Sequence, residues 1–312
     1  MERTFPFLNL VSDVLIDMDV TDLAWNAEHG IWIKRRCSNA FQFFKPSPWK
    51  APQLIEAWSP FISHQGARWS SHRPWCQIKW KNQYRMHFIF PPASPEGPCL
   101  SIRRISTQTP PHFWKNDPAF SFLLKTSQEK RNILIFGATG SGKSTLLTEL
   151  LNQLCPTERL LLLEDQEEIE TTHAHLVRLV SRPNSLEGVP EISLQTLLRE
   201  GLRMNPSRIL LGECRGEEVL ELLMAMHLGH EGVLSTLHAT HARDSLNRLE
   251  FLTALAAPQL PSERIRLLLS QTLHLLVHTQ HDKQKGRHIR SVHEVAGLEG
   301  GTILLRPVIE QT

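Results

Sequence analysis

The 312-residue sequence has no run of about 18 uninterrupted apolar residues, so it offers no candidate membrane-spanning helix. The first twenty residues, MERTFPFLNLVSDVLIDMDV, lack the unbroken apolar core of a secretory signal, because Asp13, Asp17 and Asp19 interrupt it. Cysteine is sparse: Cys37, Cys76, Cys99, Cys155 and Cys214 are scattered, and no two form a CxxC pair. That usage points to reduced thiols in a cytosolic protein and argues against a disulfide framework or a zinc site. An excess of either charge is also missing. The net charge is +2, which argues against a protein whose main task is to neutralise nucleic acid. There is no internal repeat and no low-complexity tract. What remains is an ordinary globular composition, 41% hydrophobic and 21% charged, long enough for about two domains.

The two halves differ. Every tryptophan lies at or before Trp114, whereas 13 of the 16 glycines follow it. Between them "TQTPPHFWKNDP", Thr107 to Pro118, is rich in proline and polar residues and reads as a linker. The first half carries strand-type segments at 30–36, 75–92 with a turn at Lys81-Asn82-Gln83, and 101–106, and a helical pattern at 50–62. This predicts a small α+β domain. The second half alternates: strands at 132–136, 159–163, 208–212, 233–237 and 272–278, and helices at 143–154, 193–204, 216–228, 241–255 and 262–271. Such alternation predicts a largely parallel sheet covered by helices.

The motif with the clearest chemistry is Gly137-Ala138-Thr139-Gly140-Ser141-Gly142-Lys143-Ser144-Thr145, which fits G-x-x-x-x-G-K-[ST]. Glycines let successive backbone N–H groups turn inward around phosphate oxygens, and the helix that follows adds the positive end of its dipole. In such a loop Lys143 reaches the β and γ phosphates of ATP, and the Ser144 hydroxyl ligates Mg²⁺. The alternative is a chance pattern in a glycine-rich turn. The flanking "NILIF" strand and "STLLTELLNQL" helix supply the context that weighs against it.

Two apolar strands end in carboxylates: "RLLLLEDQEEIE" at Glu164 and Asp165, and "SRILLGECRG" at Glu213. One such acid can polarise water while another holds Mg²⁺. Glu167, Glu168 and Glu170 read instead as a solvated acidic helix start. A further strand in "GHEGVLSTLHAT" ends at His238, placed either to touch a γ-phosphate or to cap a strand at the surface.

In this order the segments resemble the secretion-ATPase superfamily of type II and type IV secretion and type IV pilus systems. Within it they look most like the CpaF-like branch of Tad-type pili, near the VirB11-like ATPases. "GATGSGKST" resembles Walker A and "LLEDQEEI" the Asp box. "LREGLRMNPSRILLGECRG", running on to "LHATHARDSLNRLE", resembles Walker B followed by the His box. "VTDLAWNAEHGIWIKRR", "YRMHFIFPP" and "GPCLSIRRIS" resemble the family's N-terminal signature, so the likeness covers most of the chain. The His box departs by reading "HAT", and the zinc-binding cysteines of many type II members are missing.

The resemblance implies an α/β fold: a RecA-like P-loop domain at 132–312, a smaller α+β PAS-like domain at 1–106, and a linker at 107–131. It implies a hexameric ATPase using ATP and Mg²⁺ at the cytoplasmic face of an inner membrane, working on a membrane platform protein. Glu164 then matches the glutamate that positions water, and Glu213 the Walker B acid. His230 and His238 match the His box, with His238 as phosphate sensor. Arg85, Arg103 and Arg104 match arginines that reach the nucleotide, and Arg215 would stabilise a subunit contact. Two rival readings stand beside this one. A RecA-like nucleic-acid motor or binding module could use Trp69, Trp75, Trp80 and Tyr84 interleaved with Arg68, Arg73, Lys79, Lys81 and Arg85. A nucleotide-gated structural subunit would bind ATP without useful turnover.

Overall fold

The structure is a computed structural model that describes residues 5–35, 38, 40–81, 83–105, 114–183, 190–282 and 285–311. Asn82 of the expected turn, Cys37, and 107–113 of the expected linker lie outside the described residues. Among those described, the chain forms two compact units, one running to Ile105 and one starting at Trp114.

The first unit is an antiparallel six-stranded sheet in the order β3-β2-β1-β6-β5-β4. Its strands are β1 (Val20–Asn26), β2 (Ile31–Arg35), β3 (Gln42–Lys45), β4 (Trp75–Trp80), β5 (Tyr84–Ile89) and β6 (Cys99–Arg104). Alternation decides its faces. Along β5, Tyr84, Met86 and Phe88 are buried while Arg85, His87 and Ile89 are only partly so. The buried rows pack against α1 (Pro6–Ile16) and α2 (Ala51–His64) through Phe7, Val11, Leu54, Trp58 and Phe61. This is the expected α+β layer. Two of its strands, β1 and β3, and the N-terminal helix carried no strong pattern of their own.

The second unit is an eight-stranded sheet in the order β14-β13-β12-β7-β11-β10-β8-β9. The strands β7 (Ile133–Gly137), β8 (Leu160–Glu164), β9 (Leu176–Val180), β10 (Arg208–Leu211), β11 (Leu234–His238) and β12 (Leu275–Asp282) are parallel. β13 (Gly286–Glu299) and β14 (Thr302–Glu310) extend the sheet as an antiparallel meander. β7, β8 and β10 are buried along their whole length, which is why they read as unbroken apolar runs. One side of the sheet packs on α5 (Leu194–Leu202), α6 (Glu218–His227), α7 (Ala242–Ala256) and α8 (Ser262–Thr272). The other packs on α3 (Phe120–Gln128) and α4 (Lys143–Asn152).

Two expectations need correction. The segment read as linker contains α3, whose Phe120 and Leu123 are buried against the second unit; apolar residues at helical spacing outweigh the polar stretch before them. The acidic run after β8 starts no helix. Residues 165–175 are irregular and lead into β9, so helix-dipole compensation does not account for those glutamates.

Candidate active site

Parallel strands bring their C-terminal ends to one edge of the sheet, and the chemistry-bearing residues gather there. β7 ends at Gly137, directly opposite His238 at the end of β11. β10 leads into Gly212 and Glu213, and β8 ends at Glu164. The loop from Gly137 to Thr145 joins β7 to α4. Gly140 and Gly142 have φ of 80° and 99°, a region closed to most side chains. A Cβ on Gly142 would also fall 2.8 Å from the Trp114 ring. These glycines are required by geometry, as the motif predicts.

Lys143 is 7% exposed. Its Nζ donates to Gly137 O and Ala138 O, each at 3.0 Å, and lies 3.1 Å from His238 Nδ1. An ammonium only donates, so Nδ1 accepts and the proton sits on Nε2. Nε2 lies 3.1 Å from Glu213 Oε1. Glu213 Oε2 in turn meets Arg215 Nη2 at 2.5 Å, and Arg215 Nη1 meets Asp165 Oδ2 at 3.3 Å. Lys143, His238, Glu213, Arg215 and Asp165 thus form one polar chain along the loop, with the neutral His238 linking the lysine to an alternating Glu213, Arg215 and Asp165. Burial pulls the Lys143 pKa down to about 8, opposed by the charges of Glu213 and Glu168. Burial also lowers the His238 pKa, and the Lys143 charge adds to this, favouring the neutral ring that the geometry requires.

Glu164 ends β8 as the sequence predicts, and Glu168 is exposed as expected, though on no helix. Glu164 is 3% exposed and its Oε1 accepts the backbone N–H groups of Glu168 at 2.9 Å and Ile169 at 2.8 Å. Its Oε2 lies 3.2 Å from Arg178 Nη1, close enough for charge compensation though not aligned as a hydrogen bond. Burial pushes its pKa up. Glu164 therefore braces the loop that follows β8. Glu168 stands within electrostatic reach of both Lys143 and Arg215. The sequence signal for it was the acid itself. Its position depends on the irregular return of 165–175, which has no periodicity to read.

The remaining expected residues divide. His230 follows α6 and precedes β11; Gly232, two residues on, donates its N–H to Lys130 O beside the start of β7. His230 is therefore at the opposite edge of the sheet from this chain's phosphate loop, because a parallel strand separates its start from its end. In the first unit Arg85 and Arg103 face each other across β5 and β6. Arg103 Nε donates to Asp22 Oδ1 at 2.8 Å. Arg104 points to the other face of the sheet. Its guanidinium donates to the carbonyls of Leu15, Asp17 and Val20 and lies over the Tyr84 ring, so its donors serve the end of α1. Residues with no sequence signal also touch the loop. Thr279 Oγ1 lies 2.8 Å from Ser141 Oγ, and Arg287 Nε donates to Gly140 O at 3.2 Å.

The family model for type II/IV secretion system proteins matches residues 81–299. Conjugal transfer protein TrbB of Rhizobium radiobacter is 32% identical over 226 residues, 69% of this chain and 65% of the relative. Type IV secretion system protein VirB11 of Brucella suis is 36% identical over 181 residues, 55% of this chain and 49% of the relative. The match thus spans less than two thirds of the length of these curated relatives. Among solved structures, the VirB11 ATPase of Brucella suis in complex with sulphate superposes with a TM-score of 0.52 at 26% identity, covering 92% of this chain and 93% of that one. The ATPase DotB of Legionella pneumophila superposes with a TM-score of 0.64 at 19% identity, covering 92% and 80%, a likeness of fold. With a family match over well more than half its length and the ordered motifs at one edge of its sheet, this chain belongs to the type II/IV secretion system protein family.

Proposed function

We propose that the protein is an ATP-hydrolysing motor subunit of a type IV secretion or pilus system, acting as a ring, most simply a hexamer. The observation that carries this reading is the polar chain around a glycine-shaped phosphate loop. Gly137 to Thr145 would hold the triphosphate of ATP. Lys143 now spends its donors on two loop carbonyls and His238, and phosphate oxygens would take over those contacts. The donor set fits Mg²⁺, a hard cation that takes few protein ligands and shares the rest with phosphate and water. Ser144 and, through water, Glu213 would hold it, and its charge would offset that developing on the β and γ oxygens. Glu168, whose charge acts on both Lys143 and Arg215, is the carboxylate we assign to orienting the attacking water, with Glu164 bracing the loop that presents it. His238 links the phosphate-binding lysine to Glu213 and is positioned to report what Lys143 holds. Arg85 and Arg103, on one face of the first unit's sheet, would supply cationic contacts to a nucleotide of the same or a neighbouring subunit. The partner would be a platform protein of the inner membrane, with the motor at its cytoplasmic face. No helix among the described residues is long and apolar enough to cross a membrane.

The nucleic-acid reading keeps one exposed ring, Trp75 at 44%, while Tyr84 is buried. Trp69 stacks on Phe90 with centroids 3.9 Å apart, and Trp80 packs edge-on against Phe61. Phosphate release from MgATP across a range of protein concentrations, with Lys143→Ala as the blank, tests the proposal. Release that vanishes in the variant, with specific activity rising with concentration, is expected. Equal release by both proteins would refute the phosphate-loop assignment.

A further inference from the structure

We infer that the antiparallel pair β12–β13 is a clamp that sets the shape of the phosphate loop, with Thr279 and Arg287 as positioning residues. The inference rests on the nucleotide-binding reading of that loop.

β12 runs parallel to β7 in register, with Val277 opposite Ile135 and His278 opposite Phe136. One residue further, Thr279 comes level with Gly137, where β7 gives way to the loop. At that step the pairing of β12 with β13 shifts: His278 faces Ser291, but Thr279 faces Ile289. A bulge of this kind bends a strand pair and re-aims its side chains.

The result is close contact on both arms. The Thr279 carbonyl oxygen lies 2.3 Å from where a Cβ on Gly137 would sit, so strand backbone occupies the space of the missing side chain. Thr279 is fully buried, and its Oγ1 lies 2.8 Å from the equally buried Ser141 Oγ. From β13, Arg287 Nε donates to Gly140 O, and its Cδ lies 3.1 Å from where a Cβ on Gly142 would sit. Gly137, Gly140, Ser141 and Gly142 are thus each met by one of two residues that are far away in sequence. A glycine-rich loop is intrinsically mobile, and a mobile loop binds more weakly by the fraction of time spent in other shapes. A buried hydroxyl pair resists such excursions, since breaking it takes a short partner from Ser141 Oγ and leaves Thr279 Oγ1 only a longer 3.4 Å bond to Phe136 O.

The test is binding of a fluorescent ADP to the full chain, read beside the melting temperature. Thr279→Val keeps the shape and removes the hydroxyl; it is expected to weaken ADP binding about tenfold, chiefly through the loss of the buried bond to Ser141 Oγ, with a longer one to Phe136 O. Thr279→Ser restores the hydroxyl and should bind within about twofold of the parent, a difference too small to signal a lost hydrogen bond. Ser141→Ala should also weaken binding, by no more than Thr279→Val, and the double variant Thr279→Val with Ser141→Ala no further than Thr279→Val, since the bond between the two hydroxyls is lost in each. Arg287→Gln should weaken binding independently of these. Parent-like affinity in Thr279→Val, failure of Thr279→Ser to restore it, or additive losses in the double variant would overturn the clamp. If Thr279→Val melts early, Ser141→Ala carries the same expectation and the same refutation from the loop side. If the parent and Lys143→Ala bind ADP alike, the nucleotide reading itself fails, and the clamp with it.

Discussion

Substitution separates the duties proposed for two glutamates four positions apart. Glu168→Gln removes an exposed charge that acts on Lys143 and Arg215, without disturbing buried packing. It should leave nucleotide binding and melting temperature near those of the parent and lower turnover by about two orders of magnitude, as expected on losing a water-orienting base. Glu164→Gln withdraws the charge that pairs with Arg178 and weakens acceptance from two backbone N–H groups. It should cost about 1–3 kcal/mol of stability, read by chemical denaturation. Full turnover in Glu168→Gln would return the role to Glu164. Another residue ties stability to pH. His278 stacks on Phe136 with centroids 4.8 Å apart, and burial lowers its pKa to about 4. The charges of His241, Arg290, His293 and His288 add to that shift. Between about 4 and 6.5 the unfolded chain therefore binds more protons at this site than the folded one, and stability falls as pH falls through that window. His278→Phe keeps the stack and removes the titration. Its stability relative to the parent should improve by on the order of 2 kcal/mol between pH 7 and pH 4. A constant difference across that range would refute the assignment.

At the scale of elements, the start of β10 holds a buried cation that helps to join α3 to the sheet. Arg208 is 1% exposed; its Nε and Nη2 meet the Glu158 carboxylate, and its Nη1 donates to Ser127 O at 2.6 Å. Glu158→Gln leaves that guanidinium without its counter-charge and should cost about 3–5 kcal/mol, because an unpaired buried charge is far worse than none. Gly232 stands against the same group at φ 72°, with space for no side chain: a Cβ would lie 2.4 Å from Arg208 Nη1. Gly232→Ala should be destabilised by more than about 1 kcal/mol, through backbone strain and contact together. Equilibrium unfolding in denaturant measures both variants. The parallel strands other than β9 were legible as short apolar runs, and their helices by apolar residues at helical spacing. The meander β13–β14, the short β9, and α3 were not. A half-exposed edge strand alternates weakly, and α3 sits behind a proline-rich stretch that reads as a boundary.

At the scale of the whole molecule, each unit has its own buried core. Every contact described around the phosphate loop comes from Trp114 onward. Residues 114–312 expressed alone should therefore unfold cooperatively and bind ADP within a few-fold of the full chain. Turnover should fall well below that of the full chain, since Arg85 and Arg103 are absent. A fragment that hydrolyses ATP at the full rate would remove those arginines from the reaction. A fragment that fails to fold would show that the second core needs the first.

The sequence by itself determined the phosphate loop, the parallel α/β architecture around it, the α+β character of the first unit, and the placing of Lys143 in that loop and of Glu213 and His238 at the strand ends beside it. These were legible because they are local: a strand, a glycine turn and a helix lie within one short stretch, and each acid or histidine ends an apolar strand. Only the tertiary structure decided that the charge of Glu168 acts on the lysine while Glu164 is buried against the loop that follows its strand, that His230 sits at the far edge of the sheet, that Arg104 serves the end of a helix, and that Thr279 and Arg287 touch the loop from a strand pair late in the chain. The reason is physical. Side chains that meet across a sheet or from an irregular loop are joined by packing and hydrogen bonds between residues distant in sequence, and no spacing rule along the chain records those contacts.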